Sequence, residues 1–198
     1  MSRRAYFRVA ISVLWVCHSA LVSAQAPSGP ANYIVTQRIA ITAPVLRTVY
    51  RLGNKVVADQ HPEDAANQRT RTFFDLETGK SLTWNPADLS SPCTADVFQA
   101  GGWQDPFSGG PDLAMKNVRH AGSEKVHGIE AEILESADLS VSGFRLWVDP
   151  ATGLMLKAQF ISKKLNTTTT YLEVTDVALT KPDSAVFEVP AICQSPAK

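Results

Sequence analysis

Few side chains in this 198-residue sequence are placed for catalysis. Beyond the N-terminal leader the histidines are His61, His120 and His127. His120 and His127 flank a turn expected at Ala121–Glu124, so they could approach one another across a hairpin. A zinc site needs at least a third protein ligand at suitable spacing, and none accompanies them. Two solvent-facing polar residues, with no metal, is the favoured reading. Glu130 and Glu132 alternate onto one strand face, and Glu135 lies just beyond. Paired carboxylates can exchange protons with a substrate, but on a strand of this kind they more often form its wet side. No Gly-x-Ser-x-Gly elbow, phosphate-binding loop or dinucleotide fingerprint occurs. These residues describe a non-enzyme that needs no cofactor.

The two dozen N-terminal residues are read as an address. Met1–Arg8 carries Arg3, Arg4 and Arg8 without an acid, Val9–Val22 is mostly apolar, and Val22-Ser23-Ala24 closes the stretch with small residues. This is the pattern of a secretory signal peptide cleaved after Ala24. Cleavage after Ala26 would leave Pro27 first. Cys17 raises a lipoprotein signal as the rival, but Val16 stands where a small residue is needed and the apolar stretch continues past it. The run is short for a membrane span. Without these residues the charge changes from 19 basic and 19 acidic groups to 16 and 19, a net of about −3.

Cys93 and Cys193 then remain as an even pair in an oxidising compartment. A disulfide is the natural reading, with two buried thiols as the alternative. Cys93 follows Ser90-Ser91-Pro92 and has a distant partner, which suits a bridge better than a nucleophile. Closing a loop of roughly 100 residues would stabilise the fold by up to about 4.7 kcal/mol in the chain-entropy account. No further apolar segment could anchor the chain, so the mature protein is expected to be soluble outside the cytoplasm.

Composition narrows the class. Hydrophobic residues make up 44% and charged residues 19%, which excludes a disordered tail, a collagen and a multi-span membrane protein. Balanced charge argues against nucleic acid as a partner. After a leader at 25–30, residues 31–198 are read as a single β domain. Candidate strands are Tyr33–Ile41, Val45–Leu52, Lys55–Asp59, Arg69–Leu76, Lys80–Trp84, Leu113–His120, Val126–Leu134, Ser142–Asp149, Leu154–Ser162 and Thr168–Leu179. Gly53-Asn54, Gly79, Gly122 and Gly153 can supply positive φ between them, and Asp149-Pro150 starts a turn. The pattern is an antiparallel meander of about ten strands. Gln60–Asn67 reads as a polar loop. A helical insert interrupts the meander at 85–112: Ser91 caps, Pro92 takes the first position, and Cys93–Ala100 continues until Gly101-Gly102. The insert carries Phe98, Trp103 and Phe107.

Period-two alternation predicts one apolar and one wetter face. Phe144, Leu146 and Val148 share a face, as do Leu154, Leu156, Ala158 and Phe160 on the next strand. So many strands with one short insert do not make an ordinary sandwich. The apolar face must be covered by curling the sheet, by the insert, or by a ligand. Self-filling is the commoner outcome for a small barrel.

Three phrases carry a resemblance. Gly122-Ser123-Glu124-Lys125-Val126-His127-Gly128-Ile129 is similar to the G-x-E-x-V-x-G hairpin of the periplasmic lipoprotein-carrier-like proteins, the LolA/LppX superfamily. Phe144-Arg145-Leu146-Trp147-Val148-Asp149-Pro150-Ala151-Thr152-Gly153-Leu154-Met155-Leu156-Lys157 resembles their W-V-D-P-x-T-G-L-P-L-K hairpin, with Met155 in place of the usual proline. Pro182-Asp183-Ser184-Ala185-Val186-Phe187-Glu188-Val189-Pro190 resembles their closing D-x-x-x-F-x-x-P. The resemblance implies an open half-barrel, mainly β, with a strongly curved antiparallel sheet over a short helical plug, here Pro92–Phe107. It also implies a periplasmic protein that binds a lipid or lipoprotein acyl chain on its concave face. Phe98, Trp103 and Phe107 of the insert, with Phe144, Leu146, Val148, Leu154, Leu156 and Phe160 of the sheet, would then be the ligand-binding residues. The alternative is an envelope protein-interaction or sensing module of the same shape. A Cys93–Cys193 bridge would tether the start of the plug and favour a stable module over a swinging lid.

Overall fold

The computed structural model describes residues 29–40, 42–98, 105–107 and 118–194. The expected signal peptide, most of the expected leader, Trp103 and the expected strand start at Leu113 lie outside the described residues. The strands are β1 (Asn32–Ala40), β2 (Pro44–Leu52), β3 (Lys55–Pro62), β4 (Thr70–Asp75), β5 (Lys80–Trp84) and β6 (Thr94–Val97), followed by β7 (Val118–Val126), β8 (Ile129–Ser136), β9 (Ser142–Val148), β10 (Met155–Ser162) and β11 (Thr167–Ala178). All eleven form one antiparallel sheet in the order β6-β5-β4-β3-β2-β1-β11-β10-β9-β8-β7, unclosed and curved. Among the described residues no helix is long and apolar enough to cross a membrane.

Two elements depart from the sequence reading. Thr94–Val97, expected inside a helix, is strand β6, paired with β5 from Thr83↔Thr94 to Lys80↔Val97. The Ser-Pro start signal is local, whereas the open edge of β5 offers a row of backbone partners that β-branched Thr94 and Val97 fit well. The second departure concerns the turn placed at Ala121–Glu124. Strand β7 runs straight through that segment, because Gly122 (φ 126) serves a register shift between His120 and Gly122. The chain reverses at His127 (φ 50) and Gly128 (φ 83), a pair of positive-φ residues suited to a two-residue hairpin. Strand β3 also continues to Pro62, taking in the start of the expected Gln60–Asn67 loop.

Cross-strand partners project to the same face of a sheet. One row on the face of Tyr33 runs Tyr33–Arg51–Val56–Phe74 through β1, β2, β3 and β4. A parallel row on that face runs Val45–Ile39–Leu172–Ala158–Leu146–Leu134 across six strands. Leu172, Ala158, Leu146 and Leu134 are buried, and Val148 and Met155 join them in one apolar cluster. Tyr33, Val35, Val49, Val56, Phe107, Leu154, Leu156 and Val174 belong to a second. On a flat sheet β8 would lie about 14 Å from β11, three spacings away. The sheet curls enough that His127 Nε2, at the tip of the β7–β8 hairpin, reaches within 3.3 Å of Glu173 Oε1 on β11.

Cys93 and Cys193 are joined by a disulfide. It ties the start of edge strand β6 to the C-terminal segment, whose 3₁₀ turn Ser184–Phe187 packs against β3.

Candidate functional site

The face that carries Tyr33 divides into a filled end, a polar middle and an open rim. At the filled end the short segment Asp105–Phe107 is fastened to the sheet. Tyr33 Oη donates to Asp105 Oδ1 at 3.1 Å, Arg51 Nη1 donates to Asp105 Oδ2, and the Phe107 amide donates back to Asp105 Oδ1 at 2.9 Å. The Phe107 ring lies 4.7 Å from that of Tyr33 and is 1% exposed. Met155 N donates to Pro106 O at 3.0 Å. Two glycines allow this approach: a Cβ on Gly29 would fall 2.5 Å from Phe107 Cβ, and one on Gly153 would fall 2.8 Å from the Phe107 carbonyl oxygen. Burial pushes the Tyr33 phenol well above the ordinary tyrosine range, and the Asp105 carboxylate pushes it further.

The polar middle is a pair on neighbouring strands. Gln37, 1% exposed, accepts from Arg47 Nη2 at 2.6 Å and Arg47 Nε at 3.2 Å. Arg47 is half-buried, and its guanidinium is held below the usual arginine range by removal from water. Val35, Val49 and Val174 surround this pair by register.

The open rim is aromatic. Phe144 and Phe160 face each other across β9 and β10 with centroids 5.5 Å apart, and Tyr171 lies 6.0 Å from Phe144. Phe144 and Phe160 are 38% and 39% exposed, although the row behind them is buried.

The residues expected to bind ligand are thus distributed rather than gathered. Phe107, Leu154 and Leu156 belong to the filled end, Leu146 and Val148 to the buried row, and Phe144 and Phe160 to the rim. Phe98 sits apart, edge-on to Phe74 at 5.4 Å near strand β6. The sequence places Tyr33 in an apolar set with Val35, Ile39 and Ile41, and it marks none of Tyr33, Arg51, Asp105 and Arg47 as a site residue. Arg47 and Arg51 are charged residues inside a largely apolar strand, and that interruption is their only signal.

Further depressions among the described residues lie away from the rim, one of about 380 Å³ along Gly29, Pro30 and the Asp149–Gly153 turn. Phe73, Leu82, Ala95 and Val97 line a groove of about 530 Å³. Phe73 and Leu82 alternate with Phe74 and Ser81, so it opens on the face opposite Tyr33. His127, Ile129, Leu156, Val174 and Val177 line a smaller one of about 300 Å³. His120 and His127 do not converge: His120 Nδ1 lies 3.7 Å from Glu132, and His127 turns to Glu173. Among the described residues no three His, Cys, Asp or Glu side chains are grouped to hold a metal.

No protein-family model matches the chain, and no curated protein does. Solved structures do. An uncharacterized conserved protein from Thermus thermophilus is similar at 14% identity over 83% of this chain and 88% of that one, with a TM-score of 0.55. A chain of the Pseudomonas aeruginosa MucA/MucB complex is similar at 18% identity over 84% of this chain, with a TM-score of 0.54; the match spans only 58% of that chain. A LolA superfamily protein, NE2245 from Nitrosomonas europaea, matches at 12% identity over 80% of this chain and 88% of that one. Its TM-score of 0.30 carries no argument. The first two matches are likenesses of fold. The hairpin motifs that resemble the LolA/LppX superfamily therefore sit in an unclosed, curved antiparallel sheet of the kind that resemblance implies.

Proposed function

We propose that this is a non-catalytic protein of the periplasm that holds a lipid or the acyl chain of a lipoprotein against the Tyr33 face of its sheet. The observation that carries the reading is the exposure of Phe144 and Phe160 at 38% and 39%, one step along β9 and β10 from the buried Leu146 and Ala158. Wet aromatic rings continuous with an apolar core are where a hydrocarbon guest gains most. The two rings offer roughly 150 Å² between them, about 4 kcal/mol if fully covered. Each guest methylene removed from water adds about 0.8 kcal/mol. The rings alone support only millimolar affinity, because Ala158 and Leu172 behind them are 0% and 8% exposed and leave a guest little further surface.

A second reading, an envelope protein-interaction or sensing module, is favoured by Phe107. It fills the Tyr33 end with the protein's own side chain and leaves less of the face for a guest. The similar fold in a MucA/MucB complex is consistent with protein partners for a sheet of this shape. One experiment separates the two. The mature protein is purified gently from periplasm and extracted with organic solvent, and the extract is examined by mass spectrometry. A stoichiometric lipid that is lost from a Phe144→Ser, Phe160→Ser double variant supports the lipid reading. A clean extract, with no thermal shift on adding fatty acid or phospholipid, favours the interaction module.

A further inference from the structure

An unclosed sheet has two outer strands, and here they are built differently. Strand β7 is nine residues long, exposed from Arg119 to Lys125, and carries Arg119, His120, Glu124 and Lys125. Three of these pair with Glu135, Glu132 and Glu130 on β8, and a register shift interrupts the strand between His120 and Gly122. Charges and a bulge keep a sheet edge from pairing with another chain. Strand β6 has neither a bulge nor a cluster of charges. Its four exposed residues, Thr94-Ala95-Asp96-Val97, hold one charge between them, and Val97 is 71% exposed. The Cys93–Cys193 disulfide anchors the residue before this edge.

The hydrogen bonds of β6 show which of its backbone groups face outward. Phe98 N donates to Gly79 O at 2.9 Å, and the register continues through Asp96↔Ser81 and Thr94↔Thr83. Hydrogen-bonded positions alternate in an antiparallel pair. Phe98, Asp96 and Thr94 therefore turn their amides toward β5, and Ala95 and Val97 turn theirs away from it. The outward Val97 amide is taken by the strand itself, donating to Asp96 Oδ1 at 2.7 Å. The carboxylate stands where the carbonyl of an added strand would stand. Beside this edge lies the groove of about 530 Å³. Ala95 extends its Phe73–Leu82 row and Val97 its Asp75–Lys80 row, whereas Asp96 belongs to the Phe74–Ser81 row of the other face. Phe73 and Leu82 are only half-buried, so the groove has open apolar surface.

We propose that β6 is a docking edge for an extended segment of a partner protein whose residues alternate apolar, basic, apolar, and that Asp96 is the latch this segment opens. Whichever way the segment runs, alternation puts the residues beside Ala95 and Val97 on the groove face and the residue beside Asp96 on the other. The two apolar side chains cover Val97 and lean over Phe73 and Leu82. The lysine or arginine between them pairs with Asp96 and draws its carboxylate off the Val97 amide, which then bonds the incoming backbone. Charge complementarity selects the cation: the groove is lined by Asp75 and Asp96 against Lys80 alone. The inference is independent of what the Tyr33 face holds, because the groove opens on the opposite face.

The test uses three peptides: acetyl-Thr-Ser-Val-Lys-Val-Ser-Thr-amide, its counterpart with Glu for Lys, and a form N-methylated at the three central residues. Each is titrated into the mature protein while the Ala95 and Val97 amide resonances and their hydrogen exchange are followed. The Lys peptide should shift both amides and slow their exchange, the Glu peptide should bind roughly tenfold more weakly, and the N-methylated peptide should not bind. Asp96→Asn keeps an oxygen for the Val97 amide but loses the charge, so it should bring the Lys and Glu peptides to within about twofold of each other. Equal affinity for these two peptides in wild type overturns the latch and the partner's chemistry. Amides of β6 that exchange slowly without peptide would mean that the chain's own residues hold the edge. Shifts that follow protein concentration alone would mean that a second copy does, and either result overturns the proposal. No shift at millimolar Lys peptide overturns it as well. None of these outcomes bears on the lipid reading, which is tested at Phe144 and Phe160.

Discussion

The ring of Phe107 packs on that of Tyr33 with centroids 4.7 Å apart and planes inclined by 50°, and the residue is caught between two glycines, Gly29 against its side chain and Gly153 against its carbonyl. This contact makes Asp105–Phe107 part of the core. Phe107→Ala should therefore behave as a large core truncation, lowering stability by about 3–5 kcal/mol in urea unfolding. Gly153→Ala should be harmful too, since Gly153 has φ 74 and its added Cβ would meet the Phe107 carbonyl oxygen. A Phe107→Ala protein as stable as wild type would show that the segment merely rests on the sheet.

Tyr33 gives the fold a response to alkali. Its phenol is pushed upward chiefly by burial, so the folded chain keeps the proton at a pH where the unfolded chain sheds it. Stability from this group is complete below about pH 10, the ordinary tyrosine value, and declines as pH rises beyond it. Melting temperature should fall between about pH 10 and 11 in wild type. Tyr33→Phe should melt with a shallower pH dependence over that window. At neutral pH the same variant should be less stable by about 1 kcal/mol, having lost the bond to Asp105. Parallel pH profiles for the two proteins would remove Tyr33 from the account.

Much of the meander was legible because strand alternation and turn chemistry agree. Lys80–Trp84 was placed to the residue, and most other strands to within one or two at each end. Misreadings arose where a local signal competed with a tertiary one. Ser91-Pro92 looks like a helix start, yet the free edge of β5 claims Thr94–Val97. Gly122 looks like a turn, yet it serves a bulge, and His127-Gly128 makes the turn. The site was less legible than the sheet. Phe144 and Phe160 declare themselves by alternation, but an arginine in Val-Leu-Arg-Thr reads as a wet position. Only register across β1, β2 and β11 places Arg47 between Val49 and Val174 without a carboxylate.

The disulfide should matter most for the edge strand. All four residues of β6 are exposed, and the strand has only β5 beside it. Cys93, one residue before β6, is bonded to Cys193 across a separation of 100 residues. Replacing both cysteines by serine should lower stability by about 2–5 kcal/mol. Hydrogen exchange of the β6 amides should also accelerate more than that of β1 or β2. Uniform acceleration across the sheet would mean that the bridge acts only on the unfolded chain and does not hold this edge.

Trp147 carries a conflict that substitution can resolve. The side chain is 3% exposed, and its indole nitrogen has no hydrogen-bond partner among the described residues. Lys157 Nζ lies 4.7 Å from the ring centroid and Arg145 Cζ 5.9 Å, so the ring face is occupied by cations while the N–H is orphaned. An unsatisfied buried donor costs about 1–3 kcal/mol, comparable to the packing lost when indole is trimmed to phenyl. Trp147→Phe should therefore unfold within about 1 kcal/mol of wild type. Trp147→Ala, which keeps neither the packing nor the cation–π contacts, should lose about 3–5 kcal/mol. A Phe variant as damaged as the Ala variant would mean that the indole nitrogen has a partner in the folded protein, and a shift of its side-chain N–H resonance on ligand binding would then identify the group.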